Sequence, residues 1–400
     1  MRRGILLALL LLTGCASIID LEERELACRP YCEKAAQQCN TGNASELFYN
    51  LAACVQLCQA YPRDGALTGN TFECRQDKLE KVVLQGEQTN TCPAAGPGGA
   101  DPQSPDPGQS CGTNCEGYCT LYGAICGPIT DCVNKCRALP DTKRFNATAD
   151  FMGGLDTLQC RMAHLGAAAA AKGADDEAGT NTHCSHSGLQ SSVQCDVNDK
   201  DKPDLAIKCE DFCLLSEVAC TGSPVYESRD QCKAVCEKFT PGTLTTANGN
   251  KLTLGKLVDP PSTNSIRCRR DRAYTALVNG DPEKPMDVNV ALDCSRSSLV
   301  SGQCGASKCE SYCALAQAAC TPAFNTKYEA KGGLRACEAE CSGLPDQGGD
   351  RAYSVASGIT GIGLHCRALH VARALGPNPP AGACEAALGE AGPGGVKACQ

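Results

Sequence analysis

Residues 115–136, CEGYCTLYGAICGPITDCVNKC, carry five cysteines whose spacing decides the fold. Positions i, i+4 and i+11 lie on one face of a helix that turns every 3.6 residues, so Cys115, Cys119 and Cys126 predict an α-helix with a cysteine stripe. Cys132 and Cys136 repeat the i, i+4 relation on a second element, and Pro140 ends it, since proline cannot continue a helix. Two antiparallel helices with such stripes can form parallel rungs, Cys115 to Cys136 and Cys119 to Cys132. Eight cysteines in a set permit 105 pairings, so the rungs are an expectation from spacing.

Working outward, the same grammar recurs along the 400 residues. The chain has 33 cysteines. Leaving Cys15 aside, they form four successive sets of eight, each opening C-x3-C-x6-C and followed by a second C-x3-C, as internal repeats do when sequence drifts. The sets span 28–111, 115–195, 209–304 and 309–399. Other residues keep step. Tyr31, Tyr118, Phe212 and Tyr312 precede the second cysteine, Pro62, Pro140, Pro241 and Pro345 follow the second C-x3-C, and Arg75, Arg161, Arg269 and Arg367 follow the sixth cysteine. In the fourth set the rungs would be Cys309 to Cys341 and Cys313 to Cys337.

The expected class is therefore mainly α: four tandem, disulfide-stapled modules of two to three helices with long loops. Thr113 with Glu116 and Ser307 with Glu310 read as capping boxes. Pro203 suits a first helical turn in the third repeat. A third helix should begin near the sixth cysteine, with Asn70, Asp156 and Asn264 in cap-like positions and Ile362 breaking the pattern. The tails up to the eighth cysteine, rich in Gly, Pro, Asn and Ser, read as loops, and 93–109 reads as a solvated flexible linker.

Composition agrees. There is no Trp, aromatics make up 4% and cysteine density is far above globular usage, so covalent cross-links stand in for large apolar cores. The formal charge of −8 lacks the basic clusters that nucleic acid requires, and no nucleic-acid partner is expected.

The N-terminus has Arg2 and Arg3, an apolar run from Gly4 to Leu12, and then Leu12-Thr13-Gly14-Cys15. The run is far shorter than the ~20 apolar residues of a membrane span and reads as a signal peptide over 1–14. LTGC resembles the lipobox of bacterial lipoproteins. That resemblance implies cleavage before Cys15, acylation of Cys15, an anchored segment over 15–27 and a bilayer as partner. Ala16 favours the outer membrane over the inner. The paired C-x3-C stripes are similar to the helical hairpins of twin-cysteine proteins. The C-R-x-x-H and H-C-x-H stretches of the second repeat resemble cysteine-rich lipoproteins of predatory soil bacteria. That likeness implies location and fold, and no activity.

No nucleophile elbow, zinc-protease helix, phosphate loop or dinucleotide fingerprint is present, and the expectation is a non-enzymatic envelope scaffold or binding protein without a cofactor beyond its lipid. Its partner would be an envelope or extracellular protein or glycan. The alternative is a metal-binding or redox protein using His164, His183 and His186 of the second repeat, or a labile disulfide. The plainer reading of those histidines is as surface or helix-terminal residues. For the recurrent arginines a structural role tying tail to helices is preferred over anion binding, and for the recurrent aromatics packing is preferred.

Overall fold

A computed structural model describes residues 24–39, 47–85, 88–102, 110–141, 144–153, 156–190, 195, 208–239, 264–280, 288–305, 307–345, 352–360, 363–391 and 399. Residues 1–14, Cys15, Pro203, Pro241 and Ile362 lie outside them. The fold is mainly α and disulfide-stapled, with no strand element among the described residues. Repeat one holds α1 (24–39), α2 (Leu51–Ala60), α3 (Phe72–Gln85) and α4 (Gln88–Ala95); repeat two holds α5 (Asn114–Ile125), α6 (Cys132–Cys136), α7 (Ala147–Gly153), α8 (Leu158–Gly173) and α9 (Glu177–Ser187). Repeat three has α10 (Cys209–Ala219), α11 (Arg229–Cys236), α12 (Ile266–Asn279) and α13 (Val288–Ser297). Repeat four has α14 (Lys308–Ala319), α15 (Thr321–Tyr328), α16 (Leu334–Cys341), α17 (Val355–Thr360), α18 (Leu364–Leu375) and α19 (Ala383–Ala387).

All sixteen bridges close within a set and follow one connectivity: first to fifth, second to fourth, third to seventh, sixth to eighth. Cys115–Cys136 and Cys119–Cys132 are the rungs between α5 and α6, and Cys309–Cys341 and Cys313–Cys337 those between α14 and α16. The chain forms two compact units, one of residues Met1–Cys136 and Asp141–Asp196, the other of Arg137–Pro140 and Val197–Gln400. The first contains repeat one and all of repeat two but Arg137–Pro140. There Asn70 donates to the Glu116 carbonyl and to Thr120 Oγ1, and Arg144 pairs with Asp101 at 2.7 Å. The second contains repeats three and four, joined by Arg373 gripping both oxygens of Glu227 and by Val355 N–H on the Pro224 carbonyl.

Caps explain where the helices start. Thr113 and Glu116 form a complete capping box on α5, and Ser307 accepts from Glu310 N–H on α14. Helix α10 begins at Cys209 after Lys208, without a side-chain cap. The caps of the third helices are Thr157 and Ser265, with Thr71 Oγ1 serving Cys74 N–H in the same way. These stand one residue after the positions expected from the sequence. Asn70, Asp156 and Asn264 do something else: each accepts a guanidinium hydrogen bond, from Arg75 at 2.8 Å, Arg161 at 2.7 Å and Arg269 at 2.7 Å.

The tails are not simple loops. A helix in each (α4, α9, α13, α19) carries the seventh cysteine, and its C-terminal carbonyls, which a helix cannot satisfy itself, are taken up by the recurrent side chains. In repeat two Tyr118 hydroxyl donates to the Ser187 carbonyl at 2.7 Å, Arg161 Nε to Gly188 at 3.0 Å and Nη2 to Leu189 at 3.1 Å, while Nη1 returns to Thr157 O at 3.2 Å. Repeat one is built alike, Tyr31 reaching Ala95 O and Arg75 reaching Gly96 O, Pro97 O and Thr71 O. In repeat three Arg269 holds Ser298 O and Ser265 O, and Phe212 has no hydroxyl to add. Arg75, Arg161 and Arg269 are 0% exposed, so this clasp leaves no face for an anionic ligand. Repeat four differs: Tyr312 still reaches Ala387 O, but Arg367 pairs with Glu340 at 2.7 Å, and Gly363 stands where the other repeats have a capping hydroxyl.

The segment read as a solvated linker is corrected on its described part. Pro93 lies inside α4, and Thr91 to Gly99 are buried because Arg75, Tyr31 and Tyr61 draw that backbone against the helices. Residues 103–109 fall outside the described residues.

Tyr118→Phe should preserve the fold and cost about 1 kcal/mol, the usual net worth of one neutral hydrogen bond. Amide exchange over 183–189 should accordingly quicken about five- to tenfold. Unchanged exchange there would mean that the hydroxyl contributes nothing.

Candidate metal centre

In repeat two the clasp brings α9 against α8, and with it three of the chain's five histidines. His164 is on α8, one helical turn after Cys160. His183 and His186 are three apart on α9, hence on the same face, flanking Cys184, whose bond to Cys126 ties α9 to the end of α5. Asp176 starts α9 by accepting from Gly179 N–H at 2.9 Å. Small residues let α8 sit deep: Ala167, Ala168 and Ala169 are buried, and Lys172 donates to the Ala124 carbonyl at the end of α5.

The three imidazoles face one another. One nitrogen from each lies within 4.8 Å of the other two. His164 Nδ1 and His183 Nδ1 are 3.4 Å apart, longer than the ~2.7–3.2 Å of an ordinary N–H hydrogen bond. The rings of His164 and His183 are 5.7 Å apart and 27° from parallel, and His186 stands edge-on to both. His164 is 2% exposed, His186 5%, and His183 half-buried. The Nε2 of His164 is buried without a hydrogen bond.

Electrostatics keep the trio neutral. Burial, then the neighbouring His186 and His183, pull the His164 imidazole down to about 3. Burial and His183 lower His186. Burial also lowers His183, against the opposing pull of Asp176. A neutral imidazole presents a lone pair, the form a metal binds, and three converging lone pairs in a half-dry site suit a transition ion better than calcium or magnesium, which take oxygen ligands.

The sequence did not point to the aromatic wall of this site. Phe151 on α7 packs on His164 at 4.4 Å and His183 at 5.8 Å, and Tyr49 from repeat one packs on Phe151 at 5.2 Å. Helix α7 is fixed at its first turn, Asn146 Oδ1 accepting from Ala149 N–H and Asp150 accepting from Asn146 N–H. Neither aromatic keeps step with the cysteines, so the only sequence signal was their rarity.

Repeat four carries the same C-R-x-x-H stretch, from Cys366 to His370, without a comparable three-histidine cluster among the described residues. His370 lies beside Cys366 and Cys399, as His164 lies beside Cys160 and Cys195, but these sulfurs are bonded to each other and offer no thiolate. His365 faces Ser357 Oγ at 3.2 Å instead. The fold and site thus define a helical, disulfide-stapled repeat protein with one three-histidine cluster among the described residues. Comparison with protein families, with curated proteins and with solved structures found no match to this chain.

Proposed function

We propose that this chain is a lipid-anchored, non-enzymatic protein of the cell envelope that holds a transition-metal ion in its second repeat, the other repeats serving as a rigid scaffold for an envelope or extracellular protein or glycan. The convergence of His164, His183 and His186 within 4.8 Å carries the metal reading. The extracytoplasmic reading is supported by sixteen bridges, because disulfides form and persist in oxidising compartments and are rare in reducing ones. Lipid anchoring through Cys15 is supported by LTGC at 12–15. No described helix is long and apolar enough to cross a membrane. Four rigid repeats of one design also suit multivalent contact, in which linked modules gain avidity without new chemistry.

The test takes the chain from Ala16 onward, exported to an oxidising compartment, and titrates it with Zn2+, Cu2+ and Ni2+ while bound metal is counted by mass spectrometry. One equivalent is expected, with affinity lowered about 100-fold or more by His164→Ala and by His186→Ala, since each removes one of only three ligands. Absence of uptake, or uptake indifferent to both substitutions, would overturn the metal reading. In the full chain, labelled palmitate should be incorporated and should disappear in Cys15→Ala. Unchanged labelling would remove the anchor from the proposal.

A further inference from the structure

Resting on the metal reading above, the geometry points to a particular coordination: a four-coordinate ion of the zinc class, bound by His164, His183 and His186, with one exchangeable position and an aromatic wall formed by Phe151.

The spacing of the nitrogens argues for the geometry. Two nitrogen ligands at ~2.0–2.1 Å from a metal stand ~3.3–3.4 Å apart at the tetrahedral angle and ~2.9 Å apart at a right angle. His164 Nδ1 and His183 Nδ1 stand 3.4 Å apart, so the tetrahedral span already exists between α8 and α9. In an octahedral or square arrangement this pair would stand ~2.9 Å apart in cis or ~4.1 Å apart in trans, so the two helices, tied by the Arg161 clasp to the Gly188 and Leu189 carbonyls, would have to close or open.

The donor set argues for the ion. All described cysteines near the site are in bridges, Cys160 with Cys195 and Cys126 with Cys184, so no thiolate competes for a soft ion. The carboxylate that influences His183, Asp176, is occupied at the start of α9 by Gly179 N–H. Three imidazoles without sulfur or carboxylate suit a borderline divalent ion. Three protein ligands on a tetrahedral ion leave the fourth position to water or a small anion.

The surroundings decide where that position opens. Phe151 covers His164 and His183 and is itself backed by Tyr49, which approaches α8 at Gly166, where an added Cβ would lie 3.6 Å from Tyr49 Cβ. His183 is half-buried, and solvent reaches the cluster on its side. The wall belongs to repeats one and two together, so the ion's rate of escape should depend on a repeat that supplies no ligand.

Cobalt(II) is the probe, because its visible spectrum distinguishes four-coordinate from six-coordinate sites. The bridged chain from Ala16 should take up one equivalent and develop intense four-coordinate bands. Azide or thiocyanate should shift the bands, and Zn2+ should displace the cobalt. Phe151→Ala should speed cobalt release to a chelator about tenfold while leaving the bands of the loaded site, and Phe151→Leu should restore slow release. No uptake, or uptake indifferent to His164→Ala, would overturn the metal reading itself. Uptake with only faint six-coordinate bands, or four-coordinate bands inert to added anions, would overturn this coordination while leaving metal binding in place. Release indifferent to Phe151→Ala would remove the wall.

Discussion

Arg161→Leu is expected to destabilise repeat two by about 3–5 kcal/mol, the range seen when one partner of a buried charge pair is removed. The side chain is 0% exposed, and its loss removes the guanidinium that pairs with the Asp156 carboxylate at 2.7 Å. It also abandons three carbonyls, of Thr157, Gly188 and Leu189, of which the last two lie just beyond the C-terminal end of α9. Leucine fills part of the volume but supplies no donor. Lysine should rescue little, because one ammonium cannot span carbonyls that lie on opposite sides of a guanidinium fork. The effect should appear as quickened amide exchange in α9 and the first turn of α8, with the rungs of α5 and α6 remaining protected. Arg75→Leu should cost less, since its partner Asn70 is neutral and no ion pair is lost. Equal costs at 75 and 161 would mean that the ion pair adds nothing to the clasp.

Replacing Cys126 and Cys184 together by alanine should cost about 4 kcal/mol by loop-closure entropy, the bridge spanning 58 residues of sequence. Its larger consequence should be functional. Cys184 lies between His183 and His186, and its bond to Cys126 is the covalent tie between α9 and α5. Without that tie the two ligands of α9 must be ordered at the moment of metal binding, and affinity should fall about 100-fold or more. The control is Cys115→Ala with Cys136→Ala, which removes a rung separated by 21 residues and should cost about 3 kcal/mol. Its metal affinity should be nearly unchanged, because neither cysteine is on α8 or α9. Equal loss of metal in the two double variants would show that repeat two opens as a whole, and that the Cys126–Cys184 bond has no special role at the site.

Much of this is legible in the sequence. The i, i+4, i+11 spacing puts Cys115, Cys119 and Cys126 on one stripe whatever surrounds them, because the helical period is a property of the backbone. The pairings of Cys115 with Cys136 and Cys119 with Cys132 follow once two such stripes meet antiparallel. Thr113 and Glu116 act over three residues, and their capping box is visible in four letters. The three histidines were legible as residues but not as a site: His183 and His186 share a face by spacing, whereas His164 lies 19 residues before His183 on another helix.

What the sequence by itself determined is the local and covalent grammar: helices, caps, rungs, four repeats and the residues that keep step in them. These depend on separations of a few residues, where backbone period and hydrogen-bond reach leave few solutions. Only the tertiary structure decided the rest. Asp156 turned out to be an ion partner of Arg161 and Thr157 the cap, a one-residue distinction that depends on where the guanidinium finds its carbonyls. The residues from Thr91 to Gly99 are buried, against a composition that reads as linker, because Arg75 and two tyrosines bind that backbone. Tyr49 and Phe151 meet at the histidines because repeats one and two pack together, a long-range choice settled by shape and burial. Loop lengths between the fixed cysteine groups vary from repeat to repeat, and chain closure over such lengths costs too little entropy to reveal in the letters which surfaces will meet.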